Sequence, residues 1–321
     1  TIGDYLTVRR VDWTSYGDKS ATDMMHLKLC TVSHRLANDG TEKGPAIWVG
    51  SINLDGVNDL GINSHNSIQS AVVITEHEEL RRIMNNYMYL LKDYCGQEDV
   101  TVFRDIVNTR TSEQIDQILS GQETEIPTDK QIVYMGSGTD SIFELYFTPF
   151  GGSPNQWNEN YNPFCRYFGK LLSVADGENA IQVIWNNVKY KQSFGLADTI
   201  VSVMANIFRT NQHEEDMLLL QLPMIQKSDF GDLPENENIR INERSLNFHI
   251  KDLQLSYVEN GKRQWVVLYN TLNMHEGSMS YQSNLLLMVK ETEETGNHFY
   301  TDYAIMTTPG TNFEQYRIDP K

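Results

Sequence analysis

One pattern is written twice in this chain, and it limits the possible folds more than anything else in the sequence. "DMMHLKLCTVS" at 23–33 and "LNFHIKDLQLS" at 246–256 each place a His and a Lys two apart, His26 with Lys28 and His249 with Lys251, inside a stretch that reads as a buried strand. The match extends beyond each pair. An apolar strand runs into a small polar cluster, "AIWVGSINLDG" in the first unit and "WVVLYNTLNMH" in the second, so Gly50-Ser51-Ile52-Asn53 lines up with Asn270-Thr271-Leu272-Asn273. A further apolar strand closes each unit, "SAVVI" at 70–74 and "NLLLMV" at 284–289. A single His on a strand is ordinarily a packing residue. A recurring unit implies an internal repeat, which restricts the fold more than any local motif does.

Between and around the units the periodicity changes. After the first unit, "TEHEELRRIMNNYMYLLKDYCG" at 75–96 carries Leu80, Ile83, Met84, Tyr87, Leu90 and Leu91 at helical spacing, opposite its charges, and predicts a helix at a domain edge. The polar stretch "SGQETEIPTDK" at 120–130 reads as a linker between a first domain, 1–119, and a second, 131–321. In the second domain, strands at 142–149, 180–188 and 217–225 alternate with helices at 163–175 and 196–208. That order predicts an α/β fold with a mostly parallel sheet flanked by helices. The loop "FGGSPNQWNENYNP" at 150–163 comes after the first of these strands, at the kind of strand end where α/β folds bind ligands.

Composition narrows the partners. A net charge of -17 opposes broad electrostatic capture of nucleic acid or of an anionic membrane, so no stable nucleic-acid complex is expected and any phosphate recognition must be local. Three cysteines, Cys30, Cys95 and Cys165, are too few and too scattered for a disulfide framework or a zinc site. No carboxylate or His/Cys cluster stands at ligand spacing, so neither metal nor cofactor is expected.

Brought side by side, the two units supply two imidazoles, two ammonium groups and two asparagines, a set suited to a phosphodiester. Lys28 and Lys251 would neutralise the non-bridging oxygens while Asn53 and Asn273 donate hydrogen bonds to them. One His would attack phosphorus as the other protonates the leaving oxygen. Ser51 and Thr271 in the polar turns, with Trp157 and Trp185, are expected to touch the substrate. Asp55 and His275 lie just past the turns and are weaker candidates. His34, His65, His77, His213 and His298 share no spacing and read as surface or packing residues.

These residues resemble the phospholipase D superfamily, whose signature is a repeated His-x-Lys followed by Gly-Ser/Thr-x-Asn. "HLK" and "GSIN" carry the likeness in the first unit, "HIK" and "NTLN" in the second. The resemblance implies two pseudo-symmetric domains sharing one active site, the first of them incomplete at its amino terminus. It also implies a phosphohistidine intermediate and metal-independent hydrolysis or transfer. Phospholipid ranks ahead of nucleic acid as substrate, because the chain is acidic and the loop aromatic. Two departures stand out: the family's Asp five residues after the Lys is Ser33 and Ser256 here, and the acidic partner of each His is Gln69 in the first unit and Gln282 or Ser283 in the second. A nuclease, or a member retired to a binding role, are the alternatives. An amino-terminal Thr nucleophile at Thr1 leaves the repeat unexplained.

The second unit has many residues ahead of its His/Lys segment to build a covered sheet, whereas the first has 25, with "YLTVRRVDW" the one plausible strand. A separate amino-terminal polypeptide of roughly 100 residues, cleaved from the same precursor, is therefore expected to complete the first domain. Such processing fits a chain opening on Thr and mildly favours a secreted or vesicular location.

Overall fold

The computed structural model describes residues 27–51, 71–93, 133–137, 141–148, 156–160, 162–186, 196–221, 230–241, 250–273, 278–279 and 284–291. The expected strand at 5–13, the linker 120–130 and the tail from Thr292 lie outside these residues.

The first unit is a three-stranded sheet of β1 (Leu29–Val32), β4 (Ala46–Gly50) and β5 (Ala71–Thr75), antiparallel throughout and ordered β1-β4-β5. A small hairpin, β2 (Arg35–Leu36) with β3 (Glu42–Lys43), interrupts it. Helix α1 (Glu78–Asp93) comes next, its first turn capped by His77, whose Nδ1 accepts from the Leu80 amide at 3.2 Å.

The second unit lies within an eight-stranded sheet. Its strands are β6 (Val133–Ser137), β7 (Ser141–Phe147), β8 (Gln182–Asn186), β9 (Met217–Gln221), β10 (Ile239–Ile241), β11 (Leu253–Glu259), β12 (Lys262–Asn270) and β13 (Leu285–Glu291). They are ordered β10-β9-β8-β11-β12-β13-β7-β6. The expected mostly parallel sheet is corrected here. Only β8, β9 and β10 pair in parallel, and every other neighbour pair is antiparallel. Strand–helix alternation does produce the parallel part, with α3 (Leu196–Asn211) crossing between β8 and β9. But β11, β12 and β13 insert between β7 and β8, and the two-residue turn between β11 and β12 forces those two neighbours antiparallel. Asn260 and Gly261 form the turn after β11, with φ of 53° and 72°, the left-handed pair a two-residue hairpin requires.

Alternation along these strands makes two apolar faces. One is covered by α2 (Pro163–Ser173) and α3: Phe164, Phe168 and Leu171 of α2 and Ile200, Met204 and Phe208 of α3 share a core with Trp185, Leu253, Leu268 and Met288. Asn162 starts α2, its Oδ1 accepting from the Phe164 and Cys165 amides at 2.9 and 3.4 Å, with Pro163 as the first helical residue. The other face meets the first unit. Leu29, Ile47 and Val49 pack with Leu145, Phe147, Val267, Tyr269, Leu285 and Leu287, and Leu80, Met84 and Tyr87 of α1 close the cluster. Among the described residues no helix is long and apolar enough to cross a membrane.

Charged pairs also bridge α2 and the sheet. Arg166 pairs with Glu144 at 3.0 Å, while Lys170 and Lys290 reach Glu259 at 2.6 and 3.6 Å. The hydrogen bond from Lys170, with the charge of both lysines, holds the Glu259 carboxyl below its ordinary 4.5.

Both kinds of contact can be tested by substitution. Tyr87 is buried, stacks on Phe147 at 3.7 Å and donates to the Thr148 carbonyl at 3.3 Å, so Tyr87→Ala should lower unfolding free energy by about 3–5 kcal/mol. Met88→Ala, at an exposed neighbouring position, should change it by less than about 0.5 kcal/mol; chemical denaturation measures both. For Glu259, a folded value below the unfolded one gives stabilisation that is full above pH 4.5 and is lost as pH falls through the depressed value. The gap in melting temperature between wild type and Glu259→Gln should therefore close on acidification below 4.5, and a gap independent of pH would refute the ion pair's role.

Candidate functional site

In both units the His-x-Lys segment ends just before its strand rather than within it. Lys28 directly precedes β1, and Lys251 stands two residues ahead of β11. Both lysines are buried, at 6% and 1% exposure, although isolated lysines rarely are. An ammonium group removed from water costs several kcal/mol unless compensated, and both lysines are engaged by neighbouring groups.

The ladders show how alike the two positions are. Leu29 pairs with Val49, so Lys28 stands opposite Gly50, and Leu253 pairs with Leu268, so Lys251 stands opposite Asn270. In each case the lysine carbonyl accepts a hydrogen bond from that opposite residue: from the Gly50 amide at 3.3 Å, and from the Asn270 side-chain amide. The alignment of Gly50-Ser51 with Asn270-Thr271 read from the sequence is thus the register of the two sheets.

The polar turn after β12 is held by a buried network. Thr271 donates to Asn284 Oδ1 at 3.1 Å and accepts from the Leu285 amide at 3.2 Å, while Asn270 Oδ1 accepts from the Leu272 amide at 3.0 Å. Asn284 donates in turn to the Ser278 carbonyl at 3.2 Å, and its amide bonds the Thr148 hydroxyl at 2.8 Å. This clamps the end of β7 to the start of β13. The hydroxyl of Thr271, expected to touch substrate, is satisfied inside the protein instead.

Ladder register also corrects one sequence alignment. Ala71 pairs with Gly50 and Leu286 with Asn270, so the counterpart of Gln69 is Asn284, not Gln282 or Ser283. Counting residues without a ladder missed the offset. Asn284 and Thr148 carry no motif in the sequence; the one available signal was a polar residue set directly before the apolar run of β13.

The other expected site residues divide. His26, Asn53 and His249 lie outside the described residues, as do Asp55 and His275. Ser51 is fully buried, and Asn273 is partly buried just beyond the turn. Trp157 is partly buried against the main core and donates to Glu159 at 3.0 Å. Trp185, expected to touch the substrate, is 1% exposed and packs against Phe164 and Phe168, with ring centroids 5.5 and 5.3 Å away, because its register on β8 turns it under α2. Ser33 and Ser256 also differ from one another. Ser33 is exposed beside His34, at 3.0 Å from its Nδ1, whereas Ser256 is buried and accepts from Arg263 at 3.0 Å. Among the described residues no group of three His, Cys, Asp or Glu side chains is gathered to hold a metal.

No family model matches the chain, and no curated protein matches it. Solved structures that align with it include a polyphosphate kinase and a phosphatidylserine synthase. Polyphosphate kinase from Porphyromonas gingivalis is 9% identical with a TM-score of 0.40, covering 88% of this chain and 34% of that one. Phosphatidylserine synthase from Haemophilus influenzae Rd KW20 is 11% identical with a TM-score of 0.38, covering 83% and 60%. The chain thus spans less than two thirds of either protein.

If the network fixes the turn, Asn284→Ala should lower unfolding free energy by about 2 kcal/mol, since the Thr271 hydroxyl and the Ser278 carbonyl both lose a buried partner. A loss below about 0.5 kcal/mol in denaturant titration would mean that backbone pairing alone holds it.

Proposed function

We propose that this chain is a metal-independent phosphodiesterase of the phospholipase D type, acting through a phosphohistidine. The observation that carries this is the repetition, in one ladder register, of a buried lysine two residues after a histidine at the head of an antiparallel meander. A single such lysine is an accident of packing. Two in equivalent positions, each preceded by an imidazole, supply the paired groups an in-line displacement at phosphorus needs.

In the proposed reaction the imidazole nitrogen of His26 attacks phosphorus, a P–N bond forms, and the P–O bond to the leaving alcohol breaks. His249 gives its proton to that oxygen. Water then attacks the phosphohistidine, with His249 taking a proton from it, and releases the phosphomonoester with His26 regenerated. Lys28 and Lys251 balance the charge on the equatorial oxygens, and Asn53 and Asn273 donate to them. Burial strengthens each of these interactions by lowering the local dielectric. Phospholipid is favoured over nucleic acid because a chain of net charge -17 repels a polyanion but accommodates a single phosphodiester at a local cationic site.

The purified protein should release the head group from phospholipid vesicles and leave single-stranded DNA intact in the same buffer. His26→Ala and His249→Ala should each lower turnover about a thousandfold or more with the melting temperature held, while His65→Ala leaves turnover unchanged. Substrate labelled at phosphorus should leave label on His26. Cleavage of DNA alone would make the protein a nuclease of the same chemistry. Equal turnover in wild type and both histidine variants, with no labelled histidine, would overturn the proposal in favour of a binding role.

A further inference from the structure

The two units differ in charge at a position where they are otherwise matched. Leu29 follows Lys28 and Asp252 follows Lys251, so the two residues hold the same place in the repeat. Leu29 is 8% exposed and belongs to the core that the units share. Asp252 is 3% exposed and stands opposite Tyr269 of that same core, one step beyond the pairing of Leu253 with Leu268. The repeat therefore accepts a hydrocarbon side chain here, and a carboxylate taken out of water at such a place has to be compensated by its neighbours. Asp252 is engaged by neighbouring groups, yet the displacement at phosphorus described above gives its charge no part.

Its place beside Lys251 decides what that charge does. Adjacent Cα atoms are about 3.8 Å apart, so the Asp252 carboxylate belongs to the same local field as the Lys251 ammonium group. Lys251 is 1% exposed, and charges buried this deeply are screened little by salt or water. Lys28 and Lys251 bring two positive charges to the proposed site, and Asp252 offsets one of them.

We propose that Asp252 is a specificity-determining residue, which suits the site to a singly charged phosphodiester and disfavours a doubly charged phosphomonoester. This rests on the reading of the site as a phosphodiesterase centre. The chemistry requires no second cation for the diester. It carries one negative charge, and attack by a neutral imidazole leaves the reacting pair at one, because the charge gathered on the phosphoryl oxygens is matched by the charge left on the ring. The phosphomonoester released by hydrolysis has lost an alkyl group and carries a second negative charge above its second pKa, about 6. With one lysine charge offset, that second charge is unmatched, so the product leaves and other monoesters compete poorly with substrate.

Dimethyl phosphate and monomethyl phosphate differ by one methyl group and one charge, and they test this as binding, without turnover. In isothermal titration calorimetry at about pH 8, where the monoester is doubly charged, the wild-type 321-residue protein should bind the diester at least as tightly as the monoester. Asp252→Asn should shift the ratio of the two dissociation constants toward the monoester by about tenfold or more. Asp252→Glu keeps the charge and should keep the wild-type ratio. Should the amide variant not fold, Asp252→Leu, which copies the residue of the first unit, carries the same expectation. A lowered melting temperature with an unchanged ratio would overturn the proposal, since Asp252 would then serve the fold alone, and so would tighter binding of the monoester by the wild type. Either result leaves the phosphodiesterase reading standing. Wild-type protein that binds neither ester would overturn that reading and this proposal with it.

Discussion

An antiparallel meander with apolar residues on both faces is stable only if each face is covered, and that requirement organises this protein. The inner faces of the two meanders satisfy it together: Leu29, Ile47 and Val49 of one share a core with Val267, Tyr269, Leu285 and Leu287 of the other. Burying such side chains contributes about 1.5–3 kcal/mol each relative to exposure, so the union of the two units rests on apolar area rather than on surface ion pairs. Tyr87 adds direction, because its ring stacks on Phe147 while its hydroxyl reaches the carbonyl of Thr148. Thr148 in turn belongs to the network that fixes the polar turn after β12. The core and the turn are therefore one mechanical unit.

The proposed chemistry depends on that rigidity. A buried lysine is useful for stabilising a phosphoryl group only if its position is set before the substrate arrives, since a preorganised charge does not have to reorient during the reaction. Lys28 and Lys251 are each held by the register of a ladder and by a hydrogen bond to the lysine's own carbonyl. The neutral network of Thr271, Asn284 and Ser278 lies beside the second of these and adds no negative charge to oppose it.

Much of this was legible in the sequence, and what was not has a common cause. Strands β7, β8 and β9 and helices α2 and α3 fall where alternation and periodicity put them, because local apolar patterns set local structure. The opposition of Lys28 to Gly50 and of Lys251 to Asn270 came only from the ladders, whereas the alignment of Gly50-Ser51 with Asn270-Thr271 was legible too. Sheet order was not. That β11 inserts beside β8, and that β7 lies beyond β13, is decided by which edges meet in space, and no local pattern records it. The same blindness applies to Trp185, expected to touch the substrate until its register put it under Phe164 and Phe168. Nor does a local pattern record that the Thr271 hydroxyl donates to Asn284, a neighbour distant in sequence.

Everything proposed for the chemistry turns on the two His-x-Lys units acting on one phosphorus. A crystal structure of the protein with bound inorganic phosphate or vanadate would decide it. One anion should be contacted by both Lys28 and Lys251, with the imidazoles of His26 and His249 on opposite sides of it at hydrogen-bonding range, about 3 Å. Imidazoles more than about 10 Å apart, too far to flank a single phosphorus, or two anions held separately by the two units, would show that the repeats do not share a site.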